Sequence, residues 1–436
     1  MAHIQANSGQ RLGSAASIPS TLRVGDIRVI DNTTLEIDWV ILDRASGSEV
    51  PLHGASPPST SPYRYSLPWL RTHDYCRATG VARETLSTEH WRDALADQAE
   101  AFRQAPGLSA EVRPWGTGPP QTLLRQQRDD LMRSDDALMS LLEHVHADGL
   151  AIVEGGPTSA GAVRPVAERI AAIQPTIYGE TFDVQAMASP INVAYSAVGL
   201  DMHMDLVYYE SPPGLQLLHC RTFDPAVQGG ESMFLDGFDC AEKLRHVDPC
   251  AFAVLAQVPA TFQKVHYQRE RPVHMVYRRP HFAVSPEPWS SGPHAMAQKL
   301  PGPLTGVFWA PPFEGPLRVH PGWVDAYFDA YSAWARLLAK EESVSLLQFR
   351  LQPGETIVFN NRRMLHGRQQ YSLSDTAPPG ASEAYRHLEG CYVNIDEYMS
   401  QLMYMRHMQR GDPVVDAWAG PRAGNQHCPV APAKGT

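Results

Sequence analysis

The chain has 436 residues, of which 37 are basic and 47 acidic, for a net charge of −10; that balance excludes a nucleic-acid partner held by a basic field. A hydrophobic fraction of 43%, with 9 Trp, 16 Tyr and 13 Phe, supplies a large core, and the length predicts two domains or one large one. No run reaches the roughly 18 apolar residues of a membrane span, and the opening residues MAHIQANSGQRLGSAAS contain no apolar secretion segment. A cytoplasmic protein with no membrane partner is expected.

Residues 1–20 are small and polar and read as a disordered arm. A small N-terminal module over 21–112 follows. In it Ile27 and Val29, then Leu35, Ile37 and Trp39, alternate with polar residues about Asp31-Asn32, which predicts a hairpin with one buried face. Residues 53–62 read as a loop, and Leu67–Leu70 with the polar run 72–104 as short helices packed on that hairpin. The Pro- and Gly-rich stretch 106–120 marks the boundary to a larger domain over 113–410, with a flexible tail over 411–436.

The larger domain opens with helical periodicity. Ser134 is an N-cap, Asp135 and Asp136 occupy the first turn, Leu138, Leu141, Leu142 and Val145 share one face, and Gly149 stops the helix. A buried strand over Leu150–Val153 and a helix over 166–173 come next. From about residue 191 short strands take over: 214–220, 232–236, 347–351 and 356–359, the last two joined by Gln352-Pro353-Gly354. One long helix over 323–340 interrupts them, with Tyr327, Ala330, Tyr331, Trp334, Leu337 and Leu338 as a core-facing stripe. Helices followed by many short strands predict an α+β fold with a double-stranded β-helix (jelly-roll) core and flanking helices.

Six cysteines (Cys76, Cys220, Cys240, Cys250, Cys391, Cys428) are too sparse for a disulfide framework and form no CxxC pair, so reduced thiols are expected. The segment carrying chemistry is GLDMHMD, 199–205. On a strand, His203 and Asp205 project to one face and can converge on one metal ion. A second histidine would complete a 2-His-1-carboxylate set, which leaves positions open on Fe(II) for a bidentate co-substrate and dioxygen. His366, in NNRRMLHGR after the returning strand 356–359, is the partner. Two further HxD tripeptides, His146-Ala147-Asp148 and His246-Val247-Asp248, lie at helix ends and read as structural.

HMD, PPGLQLLHC, GGES, NNRRMLHGR and YRHLEG, in that order, resemble the Fe(II)/2-oxoglutarate-dependent dioxygenases of the taurine-dioxygenase class, and in particular the γ-butyrobetaine hydroxylase branch. The resemblance implies that His203, Asp205 and His366 bind iron. It implies that Arg386 pairs with the distal carboxylate of 2-oxoglutarate, helped by the Ser232 hydroxyl, a task for which a guanidinium fork suits and lysine does not. It further implies an aromatic pocket of Tyr178, Phe182, Tyr195 and Tyr392, with phenylalanine at 182 where the branch usually has tryptophan. Asn192 matches a polar residue near the substrate, where a trimethyllysine hydroxylase would have aspartate.

Two departures stand out. No cysteine precedes Cys76, so the structural zinc of the branch's N-terminal module is expected to be absent. Where the branch has an Asn-Asn segment on the substrate carboxylate, this chain reads FWAPPFEG over 308–315, and prolines cannot donate as asparagine amides do. The expected enzyme therefore activates an aliphatic C–H bond of a small amine, betaine or amino acid, releasing succinate and CO2, in a homodimer. γ-Butyrobetaine hydroxylation itself and desaturation or ring closure of an amino-acid-derived substrate stay open, as do a zinc hydrolase and a non-catalytic cupin-like binding protein.

Overall fold

A computed structural model describes residues 14–18, 21–42, 49–51, 63–72, 88–105, 107–120, 122–185, 198–286, 301–373 and 386–410. Asn192 and Tyr195 lie outside the described residues, as does the tail from 411.

Strands β1 (Leu22–Val29), β2 (Thr34–Leu42), β3 (Glu49–Pro51) and β4 (Tyr63–Ser66) form an antiparallel sheet in which β2 pairs with the other three. The β1–β2 hairpin turns at Asp31, whose carboxylate accepts from the Thr33 N–H at 2.7 Å. Ile27 faces Ile37 and Val29 faces Leu35, the register the alternation predicts. The buried face does not follow: Ile27 is 53% and Val29 66% exposed. The helices Thr88–Ala94 and Ala96–Gln104 correct a second expectation. Rather than covering the hairpin, they send Trp91, Leu95 and Phe102 into the core of the larger domain, where Phe102 meets Phe252 edge-on at 5.4 Å.

Six strands form the main sheet, in the order β5 (Arg125–Gln127), β6 (Leu150–Glu154), β17 (Thr356–Asn360), β9 (Leu215–Phe223), β20 (Arg386–Val393) and β7 (Thr181–Val184). A second sheet has the order β16 (Leu347–Phe349), β11 (Ser232–Asp236), β18 (Met364–Arg368) and β8 (Leu200–His203). Three antiparallel pairs complete the strands: β10 (Val227–Gly229) with β19 (Tyr371–Leu373), β12 (Ala260–His266) with β13 (Val273–Arg279), and β14 (Phe282–Pro286) with β15 (Pro301–Val307).

Period-two alternation divides the main sheet's residues between two cores. Ala151, Val153, Leu215, Leu217, Val358 and Val393 pack against the helices Asp135–Asp148, Val163–Ile170 and Ile395–Arg410 through Leu138, Leu142, Val166 and Leu402. Their neighbours Ile152, Leu218, Cys220, Ile357, Phe359 and Leu388 meet Phe234, Leu347 and Phe349 of the second sheet. The two sheets thus pack face to face. The turn Gln352-Pro353-Gly354, with Gly354 at φ 91°, carries the chain from the second sheet to the first.

Local signals set the helix Asp135–Asp148. The Ser134 side chain accepts from Ala137 N–H, and Gly149 adopts φ 91° as the C-cap. The helix Val163–Ile170 begins and ends three residues earlier than the apolar pattern indicated. The long helix Val324–Glu342 buries Tyr327, Ala330, Tyr331, Trp334 and Leu338 as its stripe predicts. Between β17 and β18 sits Arg363, 1% exposed, which donates to both Asp236 oxygens (2.8 and 3.1 Å) and to the Ala147 and Arg113 carbonyls. It anchors the turn that launches β18.

Candidate active site

His203 ends β8, and His366, in the middle of β18, is its direct cross-strand partner. Their rings stand 4.4 Å apart. His203 Nδ1–H donates to the Asp201 carbonyl at 2.7 Å, which leaves Nε2 as the ring nitrogen facing Asp205 Oδ1 at 3.6 Å. His366 Nε2 lies 3.8 Å from Asp205 Oδ2. One donor atom from each of the three residues falls within 4.8 Å of the others.

The reason for the convergence differs from the expected one. Asp205 is not on the strand, which stops at His203, and so strand alternation does not orient it. Met204 N–H bonds the Trp309 carbonyl at 2.8 Å, and Leu206 then takes φ 56°. This is the one non-glycine residue with positive φ among those described. A turn, rather than a pleat, brings the carboxylate back over the two imidazoles.

Burial and mutual charge tune the three groups. Burial pushes His366 down to about 3, assisted by His203, so it is a neutral imidazole with a lone pair to offer. Burial also opposes protonation of His203, but the neighbouring Asp205 carboxylate outweighs it and holds that ring above its ordinary value. Burial would raise Asp205, yet the two histidines and the Tyr392 hydroxyl keep it well below the usual carboxylate range. His366 Nδ1 is buried and has no hydrogen-bond partner among the described residues. Two imidazoles and one carboxylate, with no lysine or arginine ion-paired to that carboxylate among the described residues, are a donor set that fits Fe(II).

A pocket joins this cluster to the other expected residues. His203, Asp205 and His366 line it together with Ser232, Arg386, Tyr178, Phe182 and Tyr392. Ser232 opens β11 opposite Arg368 of β18, and Arg386 opens β20 opposite Phe223. Arg386 is 3% exposed; its Nε donates to the Gly230 carbonyl at 2.9 Å, and its guanidinium lies 5.4 Å from the Phe223 ring centre. Burial, then Arg368, push it down to about 10, where it stays charged at neutral pH. Among the described residues no carboxylate forms an ion pair with it. A buried cation without a protein anion fits an anionic co-substrate.

The aromatic wall comes from two strands and the turn that carries Tyr178. Phe182 of β7 stacks on Tyr392 of β20 at 5.1 Å and 23°, and lies 6.1 Å from Tyr178. Gly390 permits this, because a Cβ there would sit 2.5 Å from Phe182 Cζ. Tyr208, Phe313 and Arg368 also line the pocket and were not singled out from sequence as site residues. A usable signal for Arg368 existed: it follows His366 by two on the same strand, hence on the same face. The two remaining HxD tripeptides are structural, as read: His146 Nε2 pairs with Glu111 at 2.9 Å, and Asp248 caps the helix Pro249–Gln257.

A mixed helix–sheet protein with two histidines and one carboxylate at a pocket that also holds a buried arginine has the makings of a mononuclear iron oxygenase. Residues 117–392 match the family described as "Taurine catabolism dioxygenase TauD, TfdA family", and the chain belongs to it. It is an Fe(II)/2-oxoglutarate-dependent dioxygenase that uses O2 as co-substrate. The chain is 29% identical to the gamma-butyrobetaine dioxygenase of Pseudomonas sp. (strain AK-1) over 391 residues, 90% of this chain and 83% of that protein. It is 30% identical to dioxygenase str8 of Strobilurus tenacellus over 270 residues, 61% of this chain and 58% of that one. The human gamma-butyrobetaine dioxygenase is 28% identical over 331 residues, 74% and 79% of the two chains. No helix among the described residues is long and apolar enough to cross a membrane.

Proposed function

We propose that the enzyme activates an aliphatic C–H bond of a small amine, betaine or amino acid, with His203, Asp205 and His366 holding the iron. Arg386 and Ser232 take the distal carboxylate of 2-oxoglutarate. The observation that carries this reading is that the two histidines and Asp205 line the same pocket as a buried arginine that forms no ion pair with a carboxylate among the described residues. The bound iron supplies oxidative decarboxylation of 2-oxoglutarate to succinate and CO2, coupled to oxidation of the substrate. The chain's own task is aim and exclusion of water: Arg386 fixes the co-substrate's far end, and the rings of Tyr178, Phe182 and Tyr392 shape the substrate end, a role the family resemblance also gives to Asn192 and Tyr195. The two facing sheets support a double-stranded β-helix as the core architecture. A homodimer is our reading from the family resemblance.

One observation favours an amino acid over a quaternary betaine. The Arg269 guanidinium lies 5.2 Å from the centre of the Tyr178 ring and donates to the Ile177 carbonyl at 2.7 Å. The Tyr178 ring already engages one cation, so a trimethylammonium group gains less from it than from a ring with no cation beside it. Turnover of betaines and free amino acids, followed by succinate release, tests the reading. A free amino acid is expected to be the better substrate; γ-butyrobetaine turned over as fast as any amino acid overturns the preference. Failure of every small amine, betaine and amino acid to stimulate succinate release overturns the substrate class.

A further inference from the structure

Asp205 is held at two points by residues from elsewhere in the chain. Its backbone N–H donates to Asn361 Oδ1 at 2.9 Å, and Asn361 Nδ2 donates back to the Asp205 carbonyl at 3.1 Å and to the Pro213 carbonyl at 3.3 Å. Asn361 is fully buried, and its own N–H bonds the Gly214 carbonyl at 2.8 Å. One amide side chain thus satisfies both backbone groups of Asp205, as a neighbouring strand would have done had β8 continued. This clamp sits directly before Leu206 at φ 56°, a backbone conformation costly for a branched side chain and kept only where its surroundings enforce it.

The second point is the carboxylate. Tyr392 Oη donates to Asp205 Oδ2 at 2.8 Å, while Oδ1 faces His203 Nε2 at 3.6 Å. Tyr392 is 2% exposed and its ring is fixed by stacking on Phe182, so the hydroxyl's direction is fixed as well. A residue needed only for an aromatic wall requires no hydroxyl, and a buried hydroxyl requires a partner. Here the partner is the carboxylate itself.

We propose that Asn361 and Tyr392 are positioning residues for Asp205: Asn361 sets its backbone, and Tyr392 stops rotation of its carboxylate and commits Oδ2 to a hydrogen bond. A carboxylate engaged in this way donates through one oxygen in preference to chelating, which keeps positions on the metal open for the co-substrate. The inference rests on the reading of Asp205 as an iron ligand.

Anaerobic titration of Fe(II), and of Mn(II) as a redox-inert probe, into apoprotein decides the matter. The wild type is compared with Tyr392→Phe, Asn361→Ala and Asp205→Ala, and the visible charge-transfer band of the Fe(II)–2-oxoglutarate complex is recorded for each. Tyr392→Phe keeps the ring and its stacking; it is expected to weaken both metals by about 10- to 100-fold, as loss of a hydrogen bond to a ligating carboxylate does, and to shift the band at unchanged thermal midpoint. Wild-type affinity and an unmoved band in Tyr392→Phe would make the residue wall material only and overturn the proposal. If Asp205→Ala binds metal as the wild type does, the ligand reading fails and the inference falls with it. Should Asn361→Ala not fold, Tyr392→Phe decides alone.

Discussion

His203 and His366 face one another as direct partners across the β8–β18 ladder, with ring centres 4.4 Å apart. Side chains alternate along a strand, so a slip of one residue in this register would turn His366 away from His203 and out of the pocket. The pairing is held from outside the site by Arg363, whose buried bonds to Asp236 and two carbonyls fix the start of β18. The first prediction follows. His203→Ala or His366→Ala is expected to abolish Fe(II) binding and succinate formation while the far-ultraviolet circular dichroism stays unchanged, since the strand pairing of β8 and β18 is made by backbone groups that neither substitution removes. Isothermal titration of Fe(II) under anaerobic conditions checks it; a variant that retains wild-type affinity would remove that histidine from the metal site.

Arg386 offers a sharper test of chemistry because, among the described residues, only its Nε is engaged in a hydrogen bond. Nε holds the Gly230 carbonyl, which fixes the plane of the guanidinium and leaves the terminal nitrogens for a carboxylate. Lysine cannot bond the carbonyl and fork onto a carboxylate at once. Arg386→Lys is expected to raise the KM for 2-oxoglutarate by roughly 10- to 100-fold, the value of a charge-assisted hydrogen bond or two, with the KM for the prime substrate little changed. Steady-state kinetics with each substrate varied in turn separates the two. An increase confined to the prime substrate would reassign the arginine.

Gly390 predicts a defect of the opposite kind. Its position leaves no room for a Cβ, which would stand 2.5 Å from Phe182 Cζ and 3.0 Å from Leu218 Cδ2. Gly390→Ala must tilt Phe182 off Tyr392, at a stability cost of about 1–3 kcal/mol typical of overpacking. The KM for the prime substrate is expected to rise severalfold while the 2-oxoglutarate affinity holds; iron affinity is expected to fall by less than in Tyr392→Phe, because Phe182 supports the ring whose hydroxyl bonds Asp205 but the hydroxyl itself is kept. A 2-oxoglutarate affinity that fell as far as that for the prime substrate would mean that the aromatic wall and the Arg386 end of the pocket are not separable.

The tripeptide HMD, the histidine at 366 and the arginine at 386 could be read from the chain, and the structure gathers them at one pocket. The geometry that makes HMD work could not. Strand alternation explains two residues on one face, but Asp205 arrives by a turn whose backbone partner, Asn361, is 156 residues away in sequence. No local propensity asks for positive φ at a leucine; a distant amide imposes it. The same contrast separates two local patterns. The helix Asp135–Asp148 was legible because Ser134 and Gly149 at its own ends define it, whereas the apolar row Ile27, Val29 of β1 set a register but not a buried face. What covers a face is decided by tertiary partners, and the helices expected to cover this one put Trp91 and Phe102 into another core.

The last prediction concerns pH and a histidine outside the group His203, Asp205 and His366. His281 is fully buried; one ring nitrogen pairs with the Phe308 carbonyl at 2.7 Å and the other with the Tyr327 hydroxyl at 2.8 Å. It therefore ties the long helix to the segment that leads into Phe313 at the pocket. Burial pushes its value from 6.5 down to about 4, against the opposing pull of the Phe308 carbonyl. The folded value is the lower one, so the folded state disfavours the bound proton and the unfolded chain takes it up first. The stabilisation is complete above 6.5 and is lost as pH falls from 6.5 towards about 4, up to roughly 3 kcal/mol by linkage. Urea midpoints measured across that window should fall more steeply in the wild type than in His281→Gln, which cannot take up the proton, whatever the variant's stability at neutral pH. Parallel curves for the two proteins would show that His281 does not carry the acid sensitivity. A wild-type curve that rose on acidification, with that rise lost in His281→Gln, would reverse the sign of the linkage and mean that the folded state holds the imidazolium.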